Sequence, residues 1–168
     1  QIEAVEPSAA SVTYLRQQLA DGPSPHWSAF YERSRALNPA LAPDPRQALA
    51  RVQVIHGPAE AISANSHELA SMHFVAEGVS DEHAEFAEVC RIFARAVRPG
   101  GHLIAAFMEN LGAYTIADSQ RWPAFPVDTG IVRDTFSPYT DDLAIDRIDA
   151  DATLPEVPQQ RLSKAWQQ

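Results

Sequence analysis

The sequence predicts an α/β fold with a doubly wound, mostly parallel sheet, and three observations carry that expectation. Short apolar runs bounded by turn residues alternate with stretches of helical periodicity through most of the chain. The run "LASMHFVAEG" is apolar at successive positions, as in a parallel strand covered by helices on both faces. A long amphipathic stretch then stops at "RPGG" and gives way at once to "HLIAAFM", the helix-to-strand half of a crossover.

The elements follow in order. Ile2 to Val5 reads as a short buried strand with Glu6 at its end, and Pro7 and Ser8 break it and start a helix. Ser8 is a suitable N-cap, and Val12, Leu15 and Leu19 form one apolar stripe ending near "ADGPSP". The stretch from Pro23 to Pro45 is proline-rich but carries Trp27, Phe30, Tyr31 and Leu37, so an ordered excursion with a short helix is expected there. "RVQVIHG" is the next strand, turned by Gly57 and Pro58 into a brief helical segment at "AEAIS". "LASMHFVAEG" is predicted as strand through Val75, and a helix is predicted from Ser80 to about Val97. That helix has Phe86, Val89, Phe93 and Val97 on one face and Asp81 and Glu82 in its first turn, where the dipole favours negative charge. Beyond "HLIAAFM", "VDTGIVRDTF" is predicted as helix and "LAIDRIDA" as strand, and the tail from Thr153 gives little signal.

A chain of 168 residues, 45% hydrophobic, can bury a core of its own. Its formal charge of −9, with 13 dispersed basic residues, works against binding to a phosphate backbone, so a small molecule or a protein is the expected partner. No apolar run reaches the ~20 residues that span a bilayer, and no signal-peptide pattern opens the chain. A cytoplasmic protein is expected. The single cysteine, Cys90, allows no internal disulfide and sits among apolar neighbours, which fits an inert core thiol. The six histidines lack metal-ligand spacing, so no metal site is expected.

In open α/β sheets ligands lie beyond the carboxyl ends of the strands, which directs attention to Glu6, Pro58 to Glu60, His73 to Glu77 and Met108 to Tyr114. A carboxylate at Glu6 can accept hydrogen bonds from both hydroxyls of a ribose; a solvated loop carboxylate is the alternative.

The order "AVEPS", "GPAEAI", "ASMHFVAEGVS", a helix and "AVRPGGHLIAAF" resembles a class I S-adenosylmethionine-dependent methyltransferase from its second strand onward. "HWSAF" and "GGHLIAAFMENLGAYTIADSQRWPAFPVD" are similar, more narrowly, to the nicotinamide, phenylethanolamine and thioether methyltransferase family, over about Ile2 to Asp149. The resemblance implies a Rossmann-like sheet lacking its first strand in this chain, a partial methyltransferase domain over residues 1–152 and a tail over 153–168.

It implies S-adenosylmethionine as cofactor, with Glu6 on the ribose, Pro7 next to Glu6, Ser11 near the adenosyl end, Ala59 and Glu60 flanking the adenine, and His73 and Phe74 facing the cofactor. Glu77, Met108, Asn110 and Tyr114 then line the pocket for a small-molecule acceptor, with Tyr114 and Glu77 as the candidate catalytic residues. A hydrogen-bonded histidine buried in the sheet remains the alternative for His73, and a core tyrosine for Tyr114. Phe107 stands where nicotinamide-methylating members carry an acidic residue, which argues against that substrate.

The glycine-rich first strand and the N-terminal lid of the family are absent from the sequence, so these residues are expected to be part of a longer protein. In the family that strand lies between the second and fourth, and its absence is expected to leave unpaired edges, filled by a second copy or by another partner that completes the sheet. Three functions are therefore open: methyl transfer to a nitrogen, oxygen or sulfur acceptor; other chemistry on S-adenosylmethionine, such as intramolecular cyclisation; and a non-catalytic interaction module.

Overall fold

In the computed structural model, which describes residues 1–116 and 120–149, Ile2–Glu6 forms strand β1, half-buried from Ala4 and exposed at Ile2 where the sequence predicts a buried strand, and leads through Pro7 and Ser8 into helix α1, Ala9–Asp21. Ser8 adopts extended backbone and its hydroxyl accepts the Ser11 amide (3.3 Å), so the helix starts where its cap allows. Gly22, at φ +87°, ends it. The proline-rich excursion is ordered, as its aromatic content predicts: a 3-10 turn at Pro25–Trp27, helix α2 at Ser28–Leu37 and helix α3 at Pro45–Leu49, capped by Asp44. Strand β2, Val52–His56, returns parallel to β1, pairing Ile2 with Val52 through Glu6 with His56. A 3-10 turn at Ala59–Ala61 follows. These elements belong to one of two units into which the chain divides, Gln1–Ser63.

The second unit begins at Ala64. Strand β3 covers His67–His73, so it begins and ends two residues before the Leu69–Val75 that the sequence predicts; it stops there because Phe74 takes φ +56° and turns the chain out of the pleat into a 3-10 turn at Ala76–Gly78. Helix α4, His83–Ala96, starts three residues later than expected, since the Ser80 hydroxyl accepts the Glu82 amide (3.0 Å) and holds that turn apart from the helix. Asp81 and Glu82 consequently precede the first turn, and Glu85 is the acidic residue within it.

Strand β4, Val97–Ala106, is parallel to β3 and includes "RPGG", which the sequence reads as a turn. The ladder takes five steps on β4, from Val97 to His102, against two on β3, from His67 to Leu69, so those residues form a bulge rather than a loop. Short strands β5, Tyr114–Ile116, and β6, Gln120–Trp122, form an antiparallel pair that the sequence does not announce. Helix α5, Thr129–Phe136, is capped by Asp128, which accepts the Ile131 amide (2.8 Å). "LAIDRIDA" is not a strand: residues 143–149 pair with nothing in a sheet, and Ala150 lies outside the described residues, as does the tail over 153–168.

α4 packs its stripe of Phe86, Cys90 and Phe93 on one face of the β3–β4 pair, against Met72, Ala70 and Leu103, and α5 adds Phe136. Phe86 and Cys90 are wholly buried; burying a phenylalanine side chain is worth about 2–3 kcal/mol. Leu69 and Ile104 on the other face are half exposed, so among the described residues this pair is covered on one side, not on both. The architecture is mixed α/β, with two parallel strand pairs and one antiparallel pair. Among the described strands β1 pairs with β2 alone, and β3 with β4 alone.

Candidate functional site

In the first unit the carboxyl end of β1 and the turn after β2 are drawn together. The Gly57 amide donates to the Glu6 carbonyl (3.2 Å), and the His56 Nε2–H donates to the Pro7 carbonyl (3.2 Å). The Glu6 side chain is half-buried and its Oε1 accepts the Ser8 amide (2.8 Å), which fixes the carboxylate at the mouth of α1. Ala59, half-buried, and Glu60, exposed, sit on the 3-10 turn that follows Gly57. Ser11 lies in the first turn of α1, its amide held by the cap. Thus Glu6, Pro7, Ser11, Ala59 and Glu60 form one neighbourhood in which a carboxylate oxygen beyond the Ser8 bond remains to accept a ligand hydroxyl.

In the second unit the ends of β3 and β4 carry the other group. His73 is exposed rather than buried in the sheet, and its Nε2 shares a hydrogen bond with the Ser71 hydroxyl (2.9 Å). Phe74 donates its amide to the Ala106 carbonyl (2.8 Å) and presents a half-exposed ring beside His73, with ring centroids 6.5 Å apart. Met108 is exposed, and Asn110 is exposed at φ +54°, a conformation asparagine tolerates. The half-buried Tyr114 stands beside the turn after β3: a Cβ placed on Gly78 would lie 3.9 Å from its hydroxyl oxygen.

Glu77 differs from all of these. It is completely buried; its Oε1 accepts the Met108 amide (2.9 Å), its carbonyl accepts the Phe125 amide (2.8 Å), and its Oε2 is buried with no hydrogen-bond partner. Cys90 feels it as well: burial first, and then the nearby Glu77 charge, push the thiol up to about 12, so it stays protonated and unreactive at neutral pH.

Phe107 does not face the strand-end surface. It packs edge-on against Phe86 (5.8 Å) and against Phe136 (6.0 Å), and so the position compared with an acidic residue belongs to the core. The next acidic side chain, Glu109, is paired with Arg147 (2.8 Å), which raises the affinity of that guanidinium for its proton. Sequence reasoning missed Phe125 and Val127, whose backbones bond Glu77 and Asn110; their only signal is their place inside "WPAFPVD". It also missed a groove of about 230 Å³ between α4 and α5, lined by His83, Ala87, Asp134, Thr135, Pro138 and Tyr139, which uses none of the residues singled out from the sequence.

Among the described residues no helix is long and apolar enough to cross a membrane, and no three histidine, cysteine or acidic side chains gather as metal ligands. A scan against protein-family models finds no match to this chain, and a search of curated proteins finds no significant relative.

Proposed function

We propose that this chain belongs to an enzyme that transfers a methyl group from S-adenosylmethionine to the nitrogen, oxygen or sulfur of a small molecule, on a Rossmann-like sheet. The observation that carries the reading is Glu6: a carboxylate at the carboxyl end of a parallel strand, fixed by the Ser8 amide and adjoining the turn of Ala59 and Glu60. That arrangement fits an adenosine. Glu6 would hold the ribose hydroxyls, with Pro7 and Ser11 beside them, and Ala59 and Glu60 would border the base.

When bound, S-adenosylmethionine supplies an electrophilic methyl group. The chain's own contribution is then to orient and to exclude water. In the second unit, the exposed His73 and Phe74 are the residues that the resemblance gives to the cofactor, and Met108, Asn110 and Tyr114 those that it gives to the acceptor, the Tyr114 ring being able to pack on a cation or an aromatic face.

A second reading, a binding module completed by a partner strand, is favoured by a separate observation. Among the described strands β1 and β3 each pair with one neighbour, and Leu69 and Ile104 are half exposed, where parallel sheets are normally covered.

Calorimetric titration of S-adenosylhomocysteine into the natural protein carrying this sequence separates the two. Saturable binding, weakened at least tenfold by Glu6→Ala, is expected, because a charge-assisted hydrogen bond is worth about 1.5–3 kcal/mol. No binding by the unaltered protein overturns methyl transfer and leaves the module. Product analysis then tells methyl transfer, which yields S-adenosylhomocysteine, from cyclisation, which releases methylthioadenosine.

A further inference from the structure

We infer that Glu77 is a positioning residue, a buried latch that holds the acceptor-side loop in place, and not the base that takes the acceptor's proton. The inference rests on the methyl-transfer reading for what the loop binds, but its geometry stands apart from that reading.

Three hydrogen bonds define the latch. Oε1 of Glu77 accepts the amide of Met108, two residues past the end of β4, and its carbonyl accepts the amide of Phe125. The Asn110 amide in turn donates to the Val127 carbonyl (2.8 Å), and Glu109 and Val127 form an isolated parallel bridge. The chain therefore leaves the sheet after Ala106, passes Glu77 at Met108 and comes back past it at Phe125 to Val127, and Glu77 binds both passes from the turn after β3. Met108, Asn110 and Tyr114, the residues given to the acceptor, all lie on the segment so closed.

Burial decides between latch and base. A general base must reach the proton it removes through a direct hydrogen bond or one water. Glu77 has no exposed surface, one of its oxygens is committed to a backbone amide, and the other is enclosed in protein. An enclosed carboxylate oxygen without a partner carries a desolvation cost that a neutral side chain of the same size would reduce. What the side chain contributes in return is the acceptor that the Met108 amide uses.

Two substitutions separate the roles. Glu77→Gln keeps a carbonyl oxygen for the Met108 amide and removes the charge; Glu77→Leu keeps the bulk and removes the acceptor. Hydrogen exchange followed by NMR, with S-adenosylhomocysteine titrated in parallel, is the measurement.

For Glu77→Leu the expected result is exchange at Met108 and Asn110 at least tenfold faster, with α4 amides unchanged. Glu77→Gln should restore slow exchange, and both variants should bind S-adenosylhomocysteine within about threefold of the unaltered protein. A rise in exchange that is equal in α4 and at Met108 would make Glu77 a general stability residue and overturn the inference. So would fast exchange at Met108 in Glu77→Gln, an outcome that decides the matter even where Glu77→Leu does not fold. If the unaltered protein binds no S-adenosylhomocysteine while the exchange pattern holds, the latch stands and the methyl-transfer reading falls.

Discussion

Phe74 is the residue at which the local rules and the structure part. Its φ of +56° lies in the left-handed region, which costs an ordinary L-residue about 1–2 kcal/mol, and it falls at the end of β3 where a ligand would approach. The sequence carries apolar residues on both faces through Val75, and apolar periodicity carries no information about the sign of φ, so the early stop was illegible. The place of Glu6 in the fold was legible, because a carboxylate at the end of a strand and before a helix cap is a pattern in the residues themselves. Glycine at position 74 relieves the left-handed penalty but adds unfolded-state entropy, whereas valine suffers the penalty in full. Urea unfolding should therefore find Phe74→Gly at least as stable as Phe74→Val; a Phe74→Val protein about 1 kcal/mol more stable than Phe74→Gly would put residue 74 in extended backbone.

Cys90 gives a pH prediction at the same scale. Its thiol ionises at about 9.0 when unfolded and is pushed up to about 12 in the fold, chiefly by burial. Below pH 9 both states hold the proton and stability is unaffected. Above it the unfolded chain releases the proton first, so the stability that the buried neutral thiol contributes is lost as pH rises from 9 toward 12, by up to about 1.4 kcal/mol per pH unit. Cys90→Ala has no such proton to lose. Its stability deficit at pH 7, due to the cavity, should shrink between pH 9 and 11, and a constant deficit across that range would show that the thiol is hydrated.

Among the elements, the bulge of β4 shows most directly how sequence signals can be right in composition and wrong in use. Proline and paired glycines do end α4, but they do so inside a ladder: Gly100 supplies φ +81°, and Gly101 supplies the absence of a side chain. A Cβ on Gly101 would stand 2.6 Å from the Glu68 carbonyl oxygen and would also collide with the Val97 side chain. Gly101→Ala should consequently cost about 1–3 kcal/mol, as overpacking does, whereas Gly100→Ala meets no atom within 4 Å and strains only the backbone. Thermal unfolding of the two variants tests this ordering, and a Gly101→Ala protein as stable as the unaltered one would refute it. The strand predicted at "LAIDRIDA" failed for a related reason: alternation can mark an extended segment, but a strand needs a neighbour to pair with, and sequence does not name one.

For the molecule as a whole, the distribution of buried side chains sets where the structure should open first. The α4 stripe was legible because Phe86, Val89 and Phe93 share one helical face, and in the structure Phe86 and Phe93 are buried with Cys90, Met72, Val127 and Phe136 and Val89 packs against them, whereas Val97, expected on the same helical face, is the first residue of β4. The aromatic content of the excursion before β2 correctly marked it as ordered, yet α2 buries nothing, and Phe30 and Leu37 on it are 66% and 71% exposed. Among the described residues of Gln1–Ser63, Val12 is the one hydrophobic side chain that is fully buried. Composition could not separate these cases, since an aromatic residue reads the same whether or not a neighbour covers it. Amides in elements with few buried contacts exchange through small local openings, and those in a packed core wait for larger ones. Hydrogen exchange should therefore be complete first in α2, last in α4 and the Leu69–Met72 stretch of β3, and Phe86→Ala, at a cost of about 3–5 kcal/mol, should erase most of the protection in α4 while α2 exchanges as before. Exchange in α2 as slow as in α4 would mean that another surface covers Phe30 and Leu37, and it would favour a function in binding that partner.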